Sequence, residues 1–202
     1  IKRLPVSAYR KQKRGGTGVT GAEVKEEDFI EHLFVASTKD YLLVFTGKGQ
    51  VHWLKVYEIP QASKISKGKA IINLIQMETG SKISSTIPVK EFSADKYLVM
   101  VTELGQIKKT RLDAYANPRK GGIIGISLDK GDELIGVELT DGKQELLIGT
   151  ALGKAIRFSE EKVRDMGRQA KGVRGISLAK KNEVIGMVLC QKGSTILTVT
   201  EL

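Results

Sequence analysis

Four stretches of the chain repeat one another about every 50 residues, and this repetition limits the possible folds more than any other feature of the sequence. They are 41–46 (YLLVFT), 97–102 (YLVMVT), 145–150 (ELLIGT) and 195–200 (TILTVT). Each ends on threonine, and glycine follows three residues after the first three copies, at Gly49, Gly105 and Gly153. The numbering stops at Leu202, before the place of a fourth such glycine. A second motif interleaves at the same period: GVTG at 18–21, GKAI at 68–71, GIIG at 122–125 and GVRG at 172–175. The last two continue as Ile126-Ser127-Leu128 and Ile176-Ser177-Leu178. Two independent anchors with one shared period make chance similarity a poor explanation.

Each unit is rich in β-branched residues and has glycine at its turns, so the chain reads as all-β. The Thr-x-x-Gly step predicts a hairpin turn, from Thr46 to Gly49 and from Thr102 to Gly105. The strand before it is apolar on both faces and must be covered on both sides. In a repeat protein that means packing between neighbouring units. Four short strands per unit are expected, in one copy near 70–75, 83–89, 97–102 and 107–111, with a short helical turn within 159–166. Such units suit propeller-like, four-stranded blades better than a helical solenoid. About four blades fit into residues 1–202, read as one domain that is either a truncated ring or part of a larger one.

Charge narrows the function. Thirty-three lysines and arginines against 23 acids give a net charge of +10, which favours a polyanion as partner. Aromatic residues make up only 5%, too few for single-strand binding by base stacking. Trp53 is expected in the core. A lone cysteine, Cys190, excludes an internal disulfide framework and fits a reducing cytoplasm. It stands in an apolar run and reads as buried filler. No apolar run approaches the ~18 residues that span a bilayer. The first residues, Ile1-Lys2-Arg3-Leu4-Pro5, lack the apolar core of a signal peptide, as expected of a domain excised from a longer protein.

Enzyme chemistry finds little support. His32 and His52 are the only histidines, in no zinc-binding spacing, so no metal site and no catalytic residue is expected. There is no phosphate-binding Walker sequence. Gly16-Thr17-Gly18-Val19-Thr20-Gly21 has the form of a dinucleotide fingerprint, but no βαβ alternation follows it. Acids in the loops, such as Glu160, Glu161 and Asp165, read as solvated surface.

The N-terminal stretch carries Lys2, Arg3, Arg10, Lys11, Lys13 and Arg14 with no acid before Glu23. Within it, Gln12-Lys13-Arg14-Gly15-Gly16-Thr17-Gly18 combines cations with glycines that let backbone N–H groups approach a phosphate strand. Such a loop grips DNA without reading bases. This heptad resembles the box of the DNA gyrase A C-terminal domain family, Gln-(Arg/Lys)-Arg-Gly-Gly-(Arg/Lys)-Gly. Six of its seven positions match, and Thr17 stands where the family has a basic residue. Glu26-Glu27-Asp28-Phe29, Gly131-Asp132-Glu133-Leu134-Ile135-Gly136-Val137 and Gly172-Val173-Arg174-Gly175-Ile176 extend the resemblance along the chain. The paralogous topoisomerase IV protein usually has a degraded box, so the near-intact heptad favours the gyrase branch.

The resemblance implies a six-bladed β-pinwheel, of which about four blades would be present. It implies a non-catalytic module that wraps duplex DNA and presents the transfer segment for negative supercoiling. Partners would be double-stranded DNA, the rest of the gyrase A protein and the gyrase B protein, in the bacterial cytoplasm at the nucleoid, with no membrane. No cofactor is implied for this domain; ATP and Mg²⁺ belong to other parts of the holoenzyme. The DNA path would follow bases recurring in successive blades: Lys55, Lys108, Lys109, Arg111, Lys154 and Arg157 on the post-turn strands. Lys64, Lys67, Lys69, Arg119, Lys120, Arg168, Lys171 and Arg174 would join it from the loops. The alternative is a propeller-type scaffold whose basic surface meets an acidic protein.

Overall fold

A computed structural model describes residues 1–9, 14–18, 21, 29–30, 32–78 and 80–199. Eleven strands form three antiparallel sheets among them. They are β1 (Tyr41–Thr46), β2 (Gln50–Lys55), β3 (Ile83–Val89), β4 (Tyr97–Thr102), β5 (Gln106–Arg111), β6 (Ile123–Ile124), β7 (Leu134–Thr140), β8 (Glu145–Thr150), β9 (Ala155–Ser159), β10 (Val173–Arg174) and β11 (Val184–Cys190). The sheet orders are β3-β1-β2-β6, β10-β5-β4-β7 and β11-β8-β9.

The repeated threonines and glycines build the hairpins β1/β2, β4/β5 and β8/β9. Gly49, Gly105 and Gly153 adopt φ of 76°, 83° and 75°, the left-handed conformation that favours glycine. Their N–H groups donate to the carbonyls of Thr46, Thr102 and Thr150 at 2.9, 3.0 and 3.0 Å. The threonine hydroxyls then accept from the N–H of Gln50, Gln106 and Lys154. Threonine thus supplies two acceptors to one tight turn, which explains why it recurs there.

Blades do not follow the sequence order expected of them. Residues 83–89 pair backwards with β1, not forwards with β4. The fourth strand of the first sheet, β6, comes from the loop after the second hairpin and pairs with β2. Likewise β10, after the third hairpin, completes the second sheet through β5. Residues 70–75 hold no strand but a 3₁₀ turn at Ile71–Asn73. The expected turn near 160 is present as a 3₁₀ turn at Glu160–Lys162.

Alternation along the leading strands explains the stacking. In β4, Leu98 and Met100 join a core with Leu43, Phe45, Ile87 and Val89 of the first sheet. Val99 and Val101 face the other way, into a core with Leu146, Ile148, Val184 and Met187 of the third. In β1, Leu42 and Val44 pack beneath Ile59 and Ile75 of the following connection. A strand apolar on both faces is therefore one sandwiched between layers. Trp53 packs against the first core and donates Nε1–H to the Tyr115 carbonyl at 2.9 Å. Cys190 is half-buried at the end of β11.

Candidate nucleic-acid interface

Each of β2, β5 and β9, and likewise residues 1–5, leads into a 3₁₀ turn and then a basic loop. The 3₁₀ turns are Val6–Ala8, Val56–Glu58, Leu112–Tyr115 and Glu160–Lys162. Each loop closes on a glycine with positive φ: Gly18 at 76°, Gly68 at 75°, Gly122 at 75° and Gly172 at 100°. Bases precede each of them: Arg14; Lys64 and Lys67; Arg119 and Lys120; Arg168 and Lys171. The heptad at 12–18 is thus the first of four equivalent loops. Gln12 and Lys13 lie outside the described residues. Arg14, Gly15, Gly16, Thr17 and Gly18 are exposed, and a Cβ on Gly15 or Gly18 would meet nothing within 4 Å. That leaves an open backbone for a phosphate to approach.

The later loops are docked on the segment that leads into the preceding unit's 3₁₀ turn. A Cβ on Gly68 would stand 2.8 Å from the Ile1 carbonyl oxygen, on Gly122 2.9 Å from that of Val51, and on Gly172 2.5 Å from that of Ile107. Lys64 Nζ lies 4.6 Å from the ring centre of Tyr9, which joins this loop to the segment leading into 14–18.

Of the bases expected on the DNA path, Arg14, Lys67, Lys69, Arg111, Arg119, Lys120, Lys154, Arg157, Lys171 and Arg174 are exposed. Three of these make ion pairs: Arg111 with Asp113 at 2.5 Å, Arg157 with Glu145 at 3.1 Å, and Lys171 with Asp129. Pairs this exposed are worth roughly 0–1 kcal/mol, so a phosphate can displace the carboxylate. Lys64, Lys55 and Arg168 are half-buried. Lys55 donates to the Lys39 carbonyl at 3.0 Å and sits 3.4 Å over the Tyr41 ring.

Two of the expected bases leave the surface. Lys108 is fully buried, and its Nζ donates to the carbonyls of Gly125 (2.7 Å) and Arg168. Burial, and then the nearby Arg168 charge, bring its amine down to about 7. Lys109 is 6% exposed; its Nζ donates to the Glu160 carbonyl at 3.0 Å and lies 3.7 Å from Asp165. The reason is positional: the middle of β5 is covered on both faces, so Lys108 and Lys109 serve the fold, while Arg111 at its end is exposed. Glu160 also leaves the solvated surface expected of it. It is fully buried, and its carboxylate accepts from Thr140 Oγ1 and the Gln144 N–H, both at 2.7 Å.

Some exposed bases went unforeseen. Lys130 and Lys180 each stand two residues beyond a repeated Ile-Ser-Leu, and Arg164 opens the last loop. The Ile-Ser-Leu recurrence was the signal that marks the first two. Among the described residues no cluster of three or more metal-ligating side chains occurs. Nor, among the described residues, is any helix long and apolar enough to cross a membrane.

Comparison with known proteins agrees with this repeating architecture. The family model for the DNA gyrase C-terminal domain, a beta-propeller, matches in four successive segments: 1–37, 40–90, 96–141 and 144–191. The DNA gyrase A protein of Salmonella typhimurium is 44% identical over 201 residues, covering 100% of this chain and 23% of that protein. The DNA gyrase A protein of Halalkalibacterium halodurans is 51% identical over 177 residues, covering 88% of this chain and 21% of its own length. The chain therefore spans about a quarter of these relatives. The crystal structure of the C-terminal domain of DNA topoisomerase IV superposes with a TM-score of 0.80 at 32% identity, over 95% of this chain and 58% of that one. A structure of the DNA gyrase A C-terminal domain superposes at 0.70 with 25% identity, over 93% and 60%. Three sheets, two of them completed by a strand from the next unit, together with family-model matches in four segments along nearly the whole chain, place it in the DNA gyrase C-terminal domain family.

Proposed function

We propose that this chain is a non-catalytic module that binds and wraps duplex DNA within a gyrase-type, ATP-dependent type II topoisomerase, where it presents the transfer segment for negative supercoiling. ATP and Mg²⁺ act elsewhere in that holoenzyme, and its partners are the rest of the gyrase A protein and the gyrase B protein, in the bacterial cytoplasm at the nucleoid. One observation carries the reading: each unit offers a basic loop at the same place, between its 3₁₀ turn and a glycine of positive φ. Cations spaced by a structural repeat suit a long, regularly charged polymer. Bending 20–30 base pairs sharply costs on the order of 1–6 kcal/mol, which several separated phosphate contacts can offset and one patch cannot. Backbone contacts of this kind give weak sequence preference and steep salt dependence.

Duplex binding against salt, paired with a closed-circular DNA topology assay in the presence of a relaxing enzyme, tests this. Binding that weakens steeply with salt, with a shift in linking number, is expected. A flat salt response would sink the reading. Tight binding without a linking-number change would favour a scaffold that holds an acidic partner.

A further inference from the structure

Gly68, Gly122 and Gly172 pack on Ile1, Val51 and Ile107, and the residues next along those segments are Lys2, His52 and Lys108. Lys2 and Lys108 send their ammonium groups beneath the basic loop. Lys2 Nζ donates to Lys64 O at 2.8 Å and Ser66 O at 2.6 Å. Lys108 Nζ donates to Arg168 O and Gly125 O. Lys64 and Arg168 hold the same place, four residues before their glycines. An ammonium has three donors and no acceptor, so converging carbonyls are a fitting cage for it. Holding strands together alone would not call for this: a buried cation is costly, and an apolar side chain packs at lower cost.

We propose that Lys2 and Lys108 are positioning residues for polyanion binding. Each fixes the backbone of the next unit's basic loop, and through it the places of Lys64 and Lys67 or of Arg168 and Lys171. The inference rests on the DNA-binding reading above. Lys108 acts across three units at one atom. Gly125 follows β6 of the first sheet, Lys108 lies in the second, and the Arg168 loop follows the third hairpin. Being buried, Lys108 touches no phosphate itself. His52 occupies the same position without an ammonium, so the Arg119–Lys120 loop lacks this anchor.

A double-mutant cycle in the full-length protein, read as duplex-DNA affinity against salt, tests the proposal. Lys108→Met keeps the stem and removes the charge. It should weaken binding about ten-fold and lower the log–log salt slope by about 2, roughly 0.9 for each of the two loop contacts. In an Arg168→Ala/Lys171→Ala background the same change should do nothing further. An equal loss in both backgrounds, or none in either, overturns the proposal. Should Lys108→Met fail to fold, Lys2→Met against Lys64→Ala/Lys67→Ala poses the same question at a half-buried position. Failure of the underlying reading looks different: the unaltered protein itself would then bind without salt dependence.

Discussion

Gly172 lies so close to Ile107 that a Cβ on it would stand 2.5 Å from the Ile107 carbonyl oxygen. Its φ is 100°. Gly153 has a φ of 75° but nothing within 4 Å of a Cβ. Alanine at Gly153 should therefore cost only the left-handed backbone, about 1–2 kcal/mol. Alanine at Gly172 must also push a backbone carbonyl away and break the β10–β5 pair, for about 3 kcal/mol or more. Urea unfolding of the two variants should separate them clearly; equal midpoints would show that the loop is not docked on β5.

Glu160 gives a second prediction. Val56 and Leu112 occupy the equivalent place, at the start of the 3₁₀ turn, in two other units. Glu160→Leu should nonetheless destabilise, because the Thr140 hydroxyl and the Gln144 N–H lose their acceptor. Each buried donor left unpaired costs roughly 1–3 kcal/mol. Glu160→Gln keeps one acceptor oxygen and should cost less. Thermal unfolding of both variants checks the order.

Much of the fold was legible because period and chemistry coincided. The Thr-x-x-Gly turns follow from threonine's two acceptors and glycine's φ, and two-faced apolar strands mean burial on both sides. Strand exchange was not legible. Ile123–Ile124 and Val173–Arg174 are two-residue strands whose partners lie some 70 residues earlier, and nothing local distinguishes them from loop. The bases expected in the loops are exposed or half-buried, whereas two of those expected on the strands are buried. Lys108 and Lys109 look like a solvent-facing basic pair, but β5 sits between two layers, so their environment is set by neighbours distant in sequence. Glu160 shows the same effect with the opposite charge.

His52 should make stability depend on pH. Burial lowers its pKa below the ordinary 6.5. Among the described residues neither ring nitrogen has a hydrogen-bond partner. As pH falls through 6.5 the unfolded chain takes up a proton that the folded chain refuses. The unfolded state then binds more protons, so stability drops on acidification, from 6.5 down to the folded pKa. His52→Leu removes this contribution. Between about pH 7.5 and 5.5, the range in which histidine titrates, the unaltered protein should lose more melting temperature than the variant. Parallel losses would show that His52 is not buried neutral.

Arg174 and Lys109 separate surface from interior by a property other than stability. Arg174 is exposed on β10 and makes no ion pair among the described residues, whereas the Lys109 ammonium is engaged with Glu160, Asp165 and the Tyr97 ring. A residue that neutralises one phosphate releases one counterion's share on binding, so its loss lowers the salt slope by about 0.9. Arg174→Met should do this with little change in melting temperature. Lys109→Met should do the reverse: the slope stays, and the melting temperature falls because β5 loses its tie to the Glu160 turn. If removing Lys109 lowers the slope as much as removing Arg174, the buried lysine bears on DNA binding as well, either directly or, as proposed for Lys108, through the loop that it ties down.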